Sequence, residues 1–306
     1  MNARKLQYIS MTAILLCASI AQATPLQVTV SIIPQAYFVS KIGGDLIDVN
    51  VMVKLGSSPA IYEPQPRQMA KLSKAEIYFA IGVPFEQAWL PRFEAANPKL
   101  NVINLAESVV RLPMQAHLHD TGEHHEDEAE HTKERGNNKR NDNFLADPHI
   151  WLSPPLVRVI SMQIRDSLID ADPQNGDTYR ANYYNFAKEI DELDKELIGI
   201  FKTSKKRISF MTYHPSWGYF ARAYGLNQIP IELEGKEPSP KQMTKIIDFA
   251  REESVSTIFI QPQFSRKNAQ TIASSVNAKL LIADPLADNW AENLRKTAET
   301  FRQNSR

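Results

Sequence analysis

Asp177–Thr203, DTYRANYYNFAKEIDELDKELIGIFKT, decides how the rest of the chain is read. It follows a Pro173-Gln174-Asn175-Gly176 break and carries a single long helical pattern. At 1.5 Å per residue such a helix is about 40 Å long, enough to run along a whole domain. It therefore reads as a spine, and the regions on either side share one character. Before it, short runs rich in β-branched residues alternate with helical patterns: LQVTVSI and a helix near 35–42, IDVNVMV and a helix from about Pro66, AEIYFAIGV and a helix around 86–96. After it come RISFMTY, QIPIEL, STIFI and AKLLIA, each followed by a helical pattern. Such alternation predicts parallel sheets with helices on their faces. Immediately before the break, SPPLVRVISMQIRDSLI predicts a helix with Ser153 as N-cap and proline in its first turn.

An internal echo argues for two lobes. Glu63–Lys71 reads EPQPRQMAK and Glu237–Lys245 reads EPSPKQMTK, each ahead of a helix and then a strand. Proline is common at helix starts, but the shared Gln-Met favours duplication.

The N-terminus has Arg4 and Lys5, an apolar run from about Ile9 to Ile20, and Ala21-Gln22-Ala23. This pattern predicts a secretory signal peptide over 1–23, too short for a comfortable membrane span. The only cysteine, Cys17, lies inside it, so no disulfide is expected in the mature chain. The full chain balances 35 basic against 35 acidic residues, and losing the leader removes two basic ones. A charge near neutrality gives no reason to expect nucleic acid or an anionic membrane as partner.

His117–His131, HLHDTGEHHEDEAEH, holds five of the seven histidines among six acidic residues. Its surroundings, 115–143, lack the apolar residues that offset the entropy of ordering, so a long surface loop is expected. His117, His119, His124, His125 and His131 read as an accessory set of weak, exchanging metal sites, the alternative being an inert acidic linker.

In open α/β sheets, ligands bind outside the carboxyl ends of the strands. His214 follows RISFMTY, Asp284 follows AKLLIA, and His149 stands in DPHIWLSP just ahead of Ser153. Two imidazoles and a carboxylate suit a divalent transition metal, zinc above all. The plainer reading of Asp284, which precedes Pro285, is a turn former.

The segments SPAIYEPQPRQM, DPHIWLSP, YHPSWGYFARAYGL, EGKEPSP and ADPL, in order along nearly the whole mature chain, resemble those of the periplasmic metal-binding proteins of zinc and manganese ABC importers, the ZnuA-like and TroA-like family. The resemblance implies two parallel-sheet α/β lobes joined by one long rigid helix, with a metal site in the interlobe cleft. It implies an N-terminal lobe over 24–171, a linking spine over 172–204 and a C-terminal lobe over 205–306. It also implies a non-enzymatic, monomeric carrier in the periplasm whose partners are an ABC-type permease and its ATPase. His149 and His214 match the second and third ligands of that family, and Asp284 matches the acidic residue that completes or lines the site. A histidine at the third position resembles the zinc branch. Proteins of this kind often carry a histidine-rich loop beside the cleft.

One departure stands out. The family pattern has a histidine two residues before YEP, where this chain has Ala60. Three completions remain open: a water beside His149, His214 and Asp284, which ranks first; substitution by Tyr62 or Glu63, the latter also a candidate helix cap; or a histidine from the tract. A poorer nitrogen shell keeps Mn2+ or Fe2+ as alternatives to Zn2+. A secreted zinc hydrolase is the rival of another class, although the chain has neither a His-Glu-x-x-His nor a Gly-x-Ser-x-Gly motif. Trp151 and Trp217 read either as cleft walls or as ordinary core. Glu232, Glu234 and Glu237, around Gly235, read first as solvated loop charges, the alternative being that one of them approaches the metal or contacts the permease.

Overall fold

A computed structural model describes residues 24–115, 146–202, 207–232 and 238–304. The leader 1–23, all five tract histidines, Glu234 and Glu237 lie outside the described residues. The first half runs β1 (Leu26–Val30), α1 (Ile33–Gly43), β2 (Ile47–Val51), α2 (Pro66–Leu72), β3 (Ile77–Ala80), α3 (Phe85–Ala96) and β4 (Asn101–Asn104). Two helices follow, α4 (Pro154–Ala171) and α5 (Gly176–Lys202). The second half runs β5 (Ser209–Thr212), α6 (Gly218–Tyr224), β6 (Asn227–Pro230), α7 (Pro240–Glu252), β7 (Thr257–Ile260), α8 (Arg266–Ser275), β8 (Lys279–Ile282) and α9 (Trp290–Asn304).

Both sheets are four-stranded and parallel, ordered β2-β1-β3-β4 and β6-β5-β7-β8, so the second repeats the winding of the first. The inner strands β3 and β7 are buried along their whole length, as strands covered on both faces must be. The sequence echo falls at equivalent places, on α2 and α7, each between the second and third strands of its lobe. Each helix has proline at its first position. In each, a glutamine side chain accepts from the cap backbone: Gln68 from Gln65 N–H at 2.9 Å, Gln242 from Ser239 N–H at 2.8 Å. That glutamine satisfies a donor the helix start would otherwise leave free. Gln65, not Glu63, occupies the cap of α2. Ser153 stands at the cap position of α4 but makes no side-chain cap bond. Pro154 and Pro155, which follow it, have no N–H to offer.

The expected spine is α5. Its buried stripe of Tyr179, Tyr183, Phe186, Ile190, Leu193, Leu197 and Phe201 recurs at three- and four-residue spacing. Phe186 meets Phe38 of α1, and Phe201 meets Phe220 of α6, so the helix is anchored in both halves. It is not the only bridge. Trp290, at the start of α9, packs edge-on against Phe38, and Phe301 near its end stacks on Phe210 of β5 at 4.1 Å. The C-terminal helix thus crosses back into the first half, because burying Trp290 requires the aromatic core there.

Candidate metal centre

The described chain leaves the first half at Gln115 and returns at Ala146. These two ends form a neck. Pro113 and Ala146 make an isolated antiparallel bridge, and Asp147 N–H donates to Leu112 O at 2.8 Å. Arg111 Nε donates to Asp147 O at 3.0 Å, and the Tyr219 hydroxyl of α6 donates to the same oxygen at 3.2 Å. Gly218 lets α6 come this close: a Cβ there would lie 2.9 Å from Asp147 Oδ2. Asp147 is therefore fixed from both halves of the molecule.

The Asp147 carboxylate in turn fixes His149. Its Oδ1 accepts from His149 N–H at 2.9 Å and from the ring Nδ1 at 2.7 Å. His214, just beyond β5, has a matching arrangement, with its Nδ1 donating to Glu232 Oε2 at 2.6 Å. Phe264 stacks on the His214 ring at 5.0 Å and sets its plane. A carboxylate only accepts, so each Nδ1 carries a proton, and in the neutral imidazole that leaves Nε2 as the atom free to bind a metal. Burial pushes the His149 imidazole below the usual histidine range, while the Asp147 carboxylate pulls it back up. Both effects suit a ligand: the ring stays neutral, and its partner raises its basicity toward a metal.

The two rings line one cavity of about 70 Å³. The first half contributes Ala60, Val83 and Pro84 to its wall; Met114 and Trp151 flank His149; Phe264, Pro285 and Leu286 close the second half. The ring centroids are 5.2 Å apart. An ion held by both Nε2 atoms would take two of the four ligands that zinc needs from these rings. Each ring is also backed by one carboxylate, and together these balance the charge of a divalent cation.

Ala60 sits where the resemblance puts the missing imidazole, on the cavity wall. Neither proposed substitute joins it there. Tyr62 is buried, with its hydroxyl donating to Gln68 at 2.8 Å and its ring edge-on to Phe85, and Glu63 is exposed. Asp284 stands one residue behind the wall. Its Oδ1 accepts from Leu286 N–H at 2.9 Å and from Gln263 Nε2 at 3.1 Å, the turn-forming role. Among the described residues, no three His, Cys, Asp or Glu side chains stand together as an ion site. Two of the three anticipated ligands are thus brought together, while Asp284 is tied to Gln263 and Leu286.

Trp151 is a wall, its Nε1 donating to Pro285 O at 2.7 Å. Trp217 is core, edge-on to Phe220 and Phe301. Glu232 corrects the expectation of a solvated loop charge: it is 3% exposed and bound to His214. Its position just past the carboxyl end of β6 was the available signal. Asp147, two residues before His149, was not singled out from sequence at all.

The family described as zinc-uptake complex component A, periplasmic (ZnuA), matches residues 28–304. A crystal structure of ZnuA superimposes with a TM-score of 0.80 at 40% identity, covering 92% of this chain and 99% of that one. The high-affinity zinc uptake system protein ZnuA of Bacillus subtilis is 27% identical over 268 residues, covering 85% of this chain and 78% of its own length. The zinc-binding protein AdcA of Streptococcus pyogenes is 26% identical over 290 residues, covering 90% of this chain. The chain spans about half the length of AdcA, 55%.

Proposed function

We propose, on the premise that the chain belongs to the family of periplasmic zinc-uptake complex component A, that it captures Zn2+ between its two halves and delivers it to a membrane permease driven by an ATPase. The observation that carries this reading is the pair His149 and His214, each with Nδ1 tied to a carboxylate and their rings 5.2 Å apart in one cavity. His149 and His214 bind through Nε2. Asp284, released from Gln263, is the nearest anticipated acidic ligand, and water fills the fourth position.

The family is one of solute-binding transport proteins, and this chain acts as a carrier without turnover. It works as a monomer in the periplasm after loss of residues 1–23. The lobes 24–171 and 205–306 form the walls, and 172–204 sets their spacing. No helix among the described residues is long and apolar enough to cross a membrane. Mn2+ and Fe2+ are weaker cargoes in this reading, since two imidazoles lead the donor set.

The test is a competitive zinc titration of the chelator-stripped mature protein beside the same protein lacking 115–143. One tight site surviving the deletion, with only weaker sites lost, is the expected result. Loss of tight binding with the tract would mean that its histidines complete the site and that the cleft alone does not hold the ion.

A further inference from the structure

Gln261 follows β7 directly, is 1% exposed, and places its whole amide on the turn that carries His214. Its Oε1 accepts from His214 N–H at 3.2 Å, and its Nε2 lies 2.7 Å from His214 O. The same Nε2 is 3.1 Å from Thr212 Oγ1 and 3.0 Å from Ser216 Oγ, the hydroxyls on either side of the histidine. One side chain therefore grips both peptide groups of His214, while Glu232 holds the ring. Pro215, next to His214, has no N–H to offer, and the local bonds across the turn run to His214 O, from Ser216 N–H at 2.8 Å and Thr212 Oγ1 at 3.1 Å, leaving His214 N–H to Gln261. The histidine sits at the end of a strand rather than within one.

We infer that Gln261 is the positioning residue for His214: it fixes the main chain from which the imidazole is aimed and so sets the affinity of the cleft without touching the ion. The inference rests on the reading of His214 as a zinc ligand. An amide is required because the turn presents both a donor and an acceptor. A carboxylate at this position would still accept from His214 N–H, but would face His214 O with a second oxygen and no proton.

The deciding variant is Gln261→Glu, isosteric with the parent. Added negative charge near the cleft would by itself tighten zinc binding, whereas a misaimed His214 weakens it. The expected result is a loss of about tenfold to a hundredfold in zinc affinity, the usual cost of disturbing a group that orients a ligand. The visible spectrum of the Co2+-loaded protein should shift as the donor geometry changes. Gln261→Met, which removes every one of these bonds, should lose at least as much while its melting curve shows it folded.

Zinc affinity in Gln261→Glu equal to or tighter than the parent, with an unchanged Co2+ spectrum, overturns the proposal. His214→Ala, titrated in parallel, separates the two readings. If it binds as tightly as the parent, His214 is not a ligand and the cleft reading itself fails. If it loses tight binding while the Gln261 variants keep it, only the role of Gln261 is wrong.

Discussion

The two sheets are wound in the same order, yet their strand ends do opposite things. At the carboxyl ends of β5, β6 and β7 the second half presents an imidazole, His214, supported by Glu232 and Gln261. At the matching place between β1 and β3, the first half is plugged. Glu86 is 3% exposed; its Oε1 accepts from Ser31 Oγ at 2.5 Å and Ile81 N–H at 2.9 Å, and its Oε2 from Gly82 N–H at 2.8 Å. Beyond this plug, Phe85 N–H donates to Pro59 O at 3.1 Å, docking the loop that ends in Ala60. The difference teaches how a repeated fold divides labour: one copy aims a ligand, while the other supplies a rigid, apolar wall. His149 comes from neither sheet but from the neck between them.

The first way to break this contrast is to loosen the ligands. Asp147→Asn removes the carboxylate that accepts twice from His149 and should weaken zinc about tenfold to a hundredfold. Glu232→Gln should do the same through His214, and competitive titration reads both. Equal affinity in either variant would mean that its carboxylate does not orient the ring. Next in size is Glu86→Gln. Because Ile81 and Gly82 donate to different oxygens of Glu86, a neutral amide must turn its NH2 toward one of them. That orphaned donor should cost about 1–3 kcal/mol of stability in a denaturant melt. Zinc affinity of the folded variant should stay near that of the parent. A loss of affinity comparable to that of Asp147→Asn would show that the first half does more than form a wall.

The two-lobed fold was legible in the sequence, but the contrast between the strand ends was not. Alternating strands and helices around one long helix carry the fold because periodicity is set locally, and α5 appears within a residue of each expected end. His214 was singled out because it follows a strand, and strand ends in α/β sheets are where ligands gather; His149, on the neck, was singled out from DPHIWLSP ahead of Ser153 and from the family resemblance. Glu232 was not: among Glu234, Gly235 and Glu237 it has the composition of a loop, and only the return of β6 beside β5 turns its carboxylate toward His214. Trp290 was equally opaque. A tryptophan on an amphipathic helix looks the same whether it serves its own lobe or reaches across to Phe38. The turn reading of Asp284 describes its hydrogen bonds, while its place behind the wall depends on packing that no local pattern encodes.

A smaller effect runs in the opposite direction. Ala60→His would return an imidazole to the wall of the first half and make the two halves more alike. If the ring reaches the cavity, a third nitrogen should tighten zinc by about tenfold, with the binding equilibrium gaining about 1.4 kcal/mol. The Co2+ spectrum should strengthen toward a tetrahedral pattern. Unchanged affinity would show that the wall holds position 60 too rigidly, or too far away, to contribute a ligand.

The smallest effect is one of pH, and its sign follows from burial. His149 titrates below the ordinary histidine value of about 6.5 because desolvation outweighs the pull of Asp147. The unfolded chain therefore takes up a proton near pH 6.5 that the folded chain still refuses. The stability contributed by neutral His149 is fully present above that pH and is lost as pH falls toward the lowered folded value. Zinc meets no proton on this ring over the same interval. Removing the carboxylate in Asp147→Asn takes away the one attraction that raises the value, so His149 should titrate lower still. NMR titration of the His149 ring in the metal-free protein reads this directly. A midpoint at or above 6.5 in the parent would mean that the Asp147 carboxylate, rather than burial, governs the ring, and that the neck binds a charged imidazole in place of a ready ligand.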